Sequence, residues 1–307
     1  MKCKQLFKGL ITIAMGAMVF TSFGPAATQA HAAKVNVSHA SAAAVMNVNK
    51  SKVAWSKKGN TLRPIASISK LMTLYLVRQK LDDTSATWNS KVNTSYHGLK
   101  TMGKSSVYGG FKFNKNSYTV RQLYLAALIE SSNNAAIALG QWVAGGSTPS
   151  ANKKFIKMMN TQAKKWNFTR AKFVSANGME NNELAKYGYG VSGSYANLMS
   201  ANYVAHMATN LINEYPDITE DSSIKSMKID GQTLYNYNNL LPGRKYYQAS
   251  LNVDGLKTGY TTPAGYCFVG TAKKSGHDRI VSVVLNDVNE FTETRSLMNY
   301  AYSKGWA

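Results

Sequence analysis

Three short boxes occur along this chain in a set order: Ser67-Ile68-Ser69-Lys70, Ser131-Ser132-Asn133 and Lys257-Thr258-Gly259. They constrain the fold more than any other feature, because segments this far apart do chemistry together only if the fold makes them meet. Met at one place, they hold the parts of an acyl-transfer site that needs no histidine. Ser67 is the candidate nucleophile, Lys70 the group that takes its proton, Ser131 a relay to the leaving group, and Lys257 the holder of an anionic substrate.

Spacing alone does not select these residues. The serine-lysine spacing recurs at Ser150-Lys153 and Ser222-Lys225, and the Ser-x-Asn spacing at Ser175-Asn177, Ser200-Asn202 and Ser250-Asn252; only Lys257-Thr258-Gly259 is unique. Local context separates them. Ser67 stands where an extended Arg63-Pro64 lead meets a helix, so exposed N–H groups and the positive end of the helix dipole favour an anion there. Its own N–H is free to help bind an oxyanion. Lys70 follows three residues later on the same face, within reach of the hydroxyl. A base must be neutral, and burial or a second cation such as Lys257 lowers a lysine pKa. Ser150 instead opens an ordinary amphipathic helix, and Ser222 reads as part of a polar loop. Lys257-Thr258-Gly259 is expected to end a strand whose glycine lets a ligand approach and whose free edge accepts an extended peptide.

The pattern around the boxes predicts an α+β fold. Ala42 to Val48 and Lys52 to Trp55 read as a hairpin turned at Asn49-Lys50-Ser51. A buried helix is expected from Ser67 to Lys80, then loops from Leu81 to Lys115. Thr119 to Gln122 is a capping box opening a helix to Glu130. Further helices are expected over Ala135 to Val143, from Thr148-Pro149 to Trp166, from a Ser194 cap to Asn210, and over Thr292 to Lys304. Val253 to Lys257, Gly265 to Ala272 and Arg279 to Val288 read as strands. The order implies one antiparallel sheet built from both ends of the chain and flanked by helices, with an all-α region inserted between.

Lys2, Lys4 and Lys8, an apolar run from Leu10 to Phe20 and the small-residue pattern Ala30-His31-Ala32 read as a secretion signal over residues 1–32. The expected mature protein, 33–307, is a single catalytic domain, with Ala33 to Ser41 as a loose lead-in. It retains one cysteine, Cys267, in an apolar run that suggests a buried structural thiol. Loss of the three signal lysines takes the net charge from +21 to +18. For an exported chain that excess suits anionic wall polymers or lipid headgroups, and no motif for reading nucleic acid is present. His39, His97, His206 and His277 are isolated and carry no ligand spacing, so neither a metal nor another cofactor is expected.

The passages RPIASISKLMT (63–73), LIESSNNAAIAL (128–139) and VDGLKTGYTTPAGYCFVGTAKK (253–274) are similar to those of the serine-type D-alanyl-D-alanine carboxypeptidases of peptidase family S11, the low-molecular-mass penicillin-binding proteins. The resemblance runs from about Ala42 to the C-terminus. It implies a penicillin-binding protein/β-lactamase-like fold, acylation of Ser67 by peptidoglycan stem peptides ending in D-Ala-D-Ala, and covalent binding of penicillins. It further implies that Lys70 accepts a proton, Ser131 relays one, Asn133, Lys257, Thr258 and Gly259 bind substrate, and the backbone N–H groups of Ser67 and Tyr260 form the oxyanion hole. Many relatives continue into a β-rich domain with a membrane-docking helix. Many also carry an arginine before the last helix, where this chain reads Asn289-Glu290-Phe291. Three other readings compete. A class A-like β-lactamase would need a Glu-x-x-Leu-Asn box, which neither Glu180 nor Glu183 starts. The others are an endopeptidase on cross-links and a non-catalytic basic wall-binding protein.

Overall fold

The computed structural model describes residues 35, 37–108 and 110–307; the predicted signal, 1–32, lies outside them. Strands β1 (Ala42–Asn47), β2 (Lys52–Lys57), β3 (Val253–Thr261), β4 (Gly265–Ala272) and β5 (Ile280–Asp287) form one antiparallel sheet in the order β2-β1-β5-β4-β3. The two ends of the chain meet where β1 pairs with β5, Ala42 opposite Leu285 and Asn47 opposite Ile280.

Both faces of this sheet are covered, which explains why β1 and β5 read as continuous apolar runs rather than alternating ones. The alternation of side chains along a strand splits them between two cores. Ala42, Ala44, Met46, Val281, Val283 and Leu285 face the helical region. Ala43, Val45, Ile280 and Val284 face the last helix, Glu290–Ser303, through Leu297, Met298 and Ala301.

The helical region contributes α1 (Lys70–Asp83), α2 (Val120–Ile129), α3 (Asn133–Val143), α4 (Pro149–Lys165) and α5 (Ala201–Glu214), before α6 (Glu290–Ser303) closes the chain. The capping box at the start of α2 is formed: Thr119 Oγ1 accepts the Gln122 N–H, and Gln122 Oε1 accepts the Thr119 N–H. Pro149 stands in the first turn of α4 behind the Thr148 cap.

Several expectations need correction. The helix assigned to a Ser194 cap starts at Ala201, where Ser200 Oγ accepts the Tyr203 N–H, and runs to Glu214. The residues before it are drawn out instead, because Leu198–Met199 pairs with Arg63–Pro64 and fixes the chain leading to Ser67. The polar stretch expected as loops holds a short strand, Lys91–Asn93, paired with Ser117–Thr119, and a helix, His97–Gly103. A hairpin of Ser226–Ile229 and Gln232–Tyr235, turned at Asp230-Gly231, was not foreseen. Ser222 lies in a short helix, Ile218–Ser223, where it is buried and donates to Asp254 O.

The lead-in to β1 is tied down rather than loose. Lys57 Nζ donates to Val37 O and Ala40 O, and Glu293 accepts from the His39 and Ala40 N–H groups. His39 is therefore not isolated: its Nδ1 lies 2.8 Å from Glu293 Oε1, with Asp287 nearby. This trio clamps the N-terminal segment to α6.

Candidate active site

Ser67 sits in a single 3-10 turn, Ala66–Ser69, that runs directly into α1 at Lys70. The first hydrogen bond of the turn is donated by Ile68 to Ile65 O, one residue beyond Ser67. Ala66 has φ +45°, a left-handed conformation that a residue with a side chain adopts only when its surroundings impose it. Those surroundings are visible: Ser69 Oγ donates to Ala66 O, and the backbone of Gly178 presses on the same carbonyl. A methyl group at Gly178 would lie 1.9 Å from Ala66 O and 2.9 Å from Ser67 N, and Gly178 itself has φ +90°.

Lys70 is fully buried beneath Ser67. Its Nζ lies 2.7 Å from Ser67 Oγ and donates to Asn133 Oδ1 and Asn177 O, each at 2.8 Å. A neutral amine has two N–H donors and one lone pair. The two acceptors use both donors, which leaves the lone pair for the proton of Ser67. Burial, then the charge of Lys257, holds Lys70 well below the usual lysine range.

Ser131 links α2 to α3 in a left-handed conformation, φ +65°. That kink starts α3 immediately afterwards, with Ser132 Oγ accepting the Ala135 N–H. Asn133 then points at both neighbours: Oδ1 takes the Lys70 bond while Nδ2 donates to Tyr108 O at 2.9 Å.

Lys257, Thr258 and Gly259 do not end their strand. β3 continues to Thr261, and Tyr260 pairs with Tyr266 across the hairpin. β3 is an edge strand of the sheet among the described residues, so its outward backbone groups have no strand partner, although Ser222 Oγ donates to Asp254 O and Lys257 Nζ to Thr258 O. Gly259 also has a packing role beside the ligand approach expected of it. A Cβ there would meet Ser67 N at 3.1 Å and Ile68 N at 3.2 Å, so the glycine admits the close approach of the Ser67 turn, and it also lines the cavity beside Ser67. Lys257 is buried, donates to Thr258 O at 3.1 Å, and is lowered to about 7 by burial.

Two cavities meet at Ser67. The larger, about 470 Å³, is lined by Ser67, Ser131, Asn133, Thr258, Gly259 and Tyr260 among others. Lys70 and Lys257 lie behind its wall. Glu130 and Glu290 also border it, and burial raises both, Glu130 to about 7. Glu290 thus occupies the stretch where an arginine was expected in relatives. The smaller cavity, about 280 Å³, is shared by Ser67, Asn133, Tyr108, Glu180 and Thr261. Cys267 is buried and pushed up to about 12, which makes it an inert thiol.

All three boxes converge, and two further residues join them. Asn177 and Gly178 were overlooked because they act through backbone atoms. The recurrent spacing at Ser175-Asn177 has a role of its own: Ser175 Oγ accepts the Gly178 N–H and so shapes the turn that presents Asn177 O to Lys70. The Asn-Gly pair was the usable signal, since that dipeptide marks a tight turn.

A cavity-lining serine over a buried lysine, wedged between an inserted helical region and the edge of an antiparallel sheet, has the geometry of a serine acyl-transfer site on an α+β scaffold. Comparison with known proteins narrows the class. The family description D-alanyl-D-alanine carboxypeptidase matches residues 27–289, and the chain belongs to that family, peptidase family S11. It is 28% identical to the D-alanyl-D-alanine carboxypeptidase DacF of Bacillus subtilis over 306 residues, covering 96% of this chain and 71% of the relative. It spans 51% to 58% of the length of several further curated carboxypeptidases. Among solved structures it resembles a peptidoglycan synthesis regulatory factor (PBP3) of Streptococcus pneumoniae, with TM-score 0.79 and 34% identity over 86% of this chain and 74% of the other. It also resembles penicillin-binding protein D2 of Listeria monocytogenes in its ampicillin-bound form, with TM-score 0.69 and 32% identity over 86% and 97%. The fold is the penicillin-binding protein type.

The wedge at Gly178 predicts a kinetic defect. Gly178→Ala is expected to slow acylation by labelled penicillin about 10²-fold, since displacing a reacting atom by ~1 Å costs that much. Circular dichroism should still record a cooperative unfolding transition. Wild-type acylation by this variant would contradict the proposed contact.

Proposed function

We propose that this protein is an exported serine-type D-alanyl-D-alanine carboxypeptidase that trims peptidoglycan stem peptides. The observation that carries the reading is the three-way coordination of Lys70, which fits a neutral amine aimed at Ser67 Oγ. Ser67 Oγ attacks the carbonyl of the penultimate D-Ala as its proton passes to Lys70. The C–N bond then breaks, Ser131 relays the proton to the leaving amine, and terminal D-Ala departs. Water cleaves the resulting ester, returning Ser67.

The N–H groups of Ser67 and Tyr260 hold the oxyanion, and losing one such donor costs about 10²–10³ in rate. Thr258 and the charged form of Lys257 hold the terminal carboxylate, and Asn133 orients the bound peptide. A β-lactam acylates the same serine. Export rests on the leader-like segment 1–32, and retention on the attraction of a +18 surface for anionic wall polymers or lipid headgroups.

The test is release of D-Ala from purified uncross-linked and cross-linked muropeptides. The proposal expects release from uncross-linked pentapeptides. Cleavage confined to cross-links would make the protein an endopeptidase instead.

The two lysines also set the pH profile. Lys70 works deprotonated and is held well below the usual lysine range, first by burial and then by the charge of Lys257, so kcat/KM rises as pH climbs through its pKa. Lys257 works protonated, so kcat/KM falls above about pH 7 in the free protein. Lys257→Gln removes the cation beside Lys70, which raises the Lys70 pKa and moves the acidic limb to higher pH. Penicillin acylation rates measured across pH check this. An acidic limb that stays in place would show that Lys257 does not tune the base.

A further inference from the structure

The chain carries 36 lysines and arginines against 15 acidic residues, yet the cavities beside Ser67 reverse that balance. Among the described residues neither is lined by a lysine or arginine, while Glu130 and Glu290 border the larger and Glu180 and Glu183 the smaller. Three of the four have an evident explanation. Glu130, whose Oε2 is likewise buried without a partner, and Glu290 are pushed toward the neutral form by burial, and Glu183 is paired with Lys186 at 2.7 Å.

Glu180 has no such explanation. It is only 8% exposed, and its Oε1 is buried without a hydrogen-bond partner among the described residues. It precedes the short helix Asn181–Ala185 but its side chain does not cap it. A buried carboxylate oxygen without a partner is costly, so its place in a cavity that touches the nucleophile points to a cationic or donor group brought by the substrate.

The edge strand says which part of the substrate arrives there. A peptide that extends this sheet by antiparallel pairing on β3 runs opposite to it. With its terminal carboxylate at Lys257 and Thr258, its preceding residues lie toward Thr261, Thr262 and Pro263, which line the smaller cavity with Glu180.

We propose that Glu180 is a specificity-determining residue that binds the protonated side-chain amine of a substrate residue upstream of the scissile bond. This rests on the carboxypeptidase reading for the direction of the bound peptide. A charge-assisted hydrogen bond of this kind corresponds to tenfold or more in affinity, as an order of magnitude.

The test uses the full chain carrying Ser67→Ala, which binds peptides without cleaving them, and two probes: Nα-acetyl-Lys-D-Ala-D-Ala and its counterpart acetylated on Nε as well. Titration calorimetry should give about tenfold or more tighter binding of the free amine. With Glu180→Gln added, the two affinities should become equal. Because the readout is a ratio between two ligands on one protein, a general loss of folding does not imitate it. Equal affinities in the first protein, no binding of either probe, or a preference that survives Glu180→Gln would each overturn the proposal. D-Ala release by the wild-type chain is scored separately. Release without an amine preference sinks this inference alone, and an amine preference without release sinks the carboxypeptidase reading alone.

Discussion

Ser67→Ala is expected to lower D-Ala release about 10⁴-fold or more, the scale seen when the nucleophile of a coupled catalytic unit is removed. The geometry explains why no neighbour substitutes for it. Ser69, two residues on, is fully buried and its hydroxyl is committed to Ala66 O. Ser131 borders the cavity, but its hydroxyl lacks the 2.7 Å approach that Lys70 makes to Ser67. The fold should survive, because the Ser67 hydroxyl is held by Lys70 rather than by the core. Retained D-Ala release, measured on purified protein with a coupled D-Ala assay, would place the nucleophile elsewhere.

Lys70→Met is expected to lower acylation about 10²–10⁴-fold, the usual contribution of a positioned general base. Methionine fills similar space but leaves Asn133 Oδ1 and Asn177 O without their donor. Each orphaned acceptor costs about 1–3 kcal/mol, so the variant should also unfold at lower denaturant concentration. The two effects separate by pH. Loss of the base removes the acidic limb of the acylation profile, whereas simple destabilisation scales the whole profile down. A Lys70→Met protein that keeps the acidic limb would mean that another group takes the proton.

The sequence made the chemistry more legible than the geometry that supports it. Box order and the Arg63-Pro64 lead selected Ser67 over Ser150 and Ser222, and the apolar setting of Lys70 anticipated its burial. The sheet was readable because β1, β4 and β5 are short apolar runs bounded by turn residues. What escaped was contact made through backbone. Asn177 holds Lys70 with a carbonyl that any residue possesses, and Gly178 matters for the atom it lacks. Gly259 shows no sign in the sequence of its contact with Ser67, since only packing reveals that the Ser67 turn abuts β3. The start of α5 was misplaced because Ser194 and Ser200 offer the same cap. Pairing of Leu198–Met199 with Arg63–Pro64, a long-range contact, decides between them. That Glu130, Glu180, Glu183 and Glu290 gather at the cleft was not legible either, since they stand as single glutamates in separate segments and fit no box.

The central claim is that Ser67 forms the acyl-enzyme. The most direct measurement is mass spectrometry of the intact protein after incubation with a penicillin, followed by peptide mapping of the adduct. The account predicts one added penicilloyl group per chain, on the peptide that contains Ser67, and none in Ser67→Ala. An unlabelled wild-type protein, or an adduct mapped to any other residue, would contradict it.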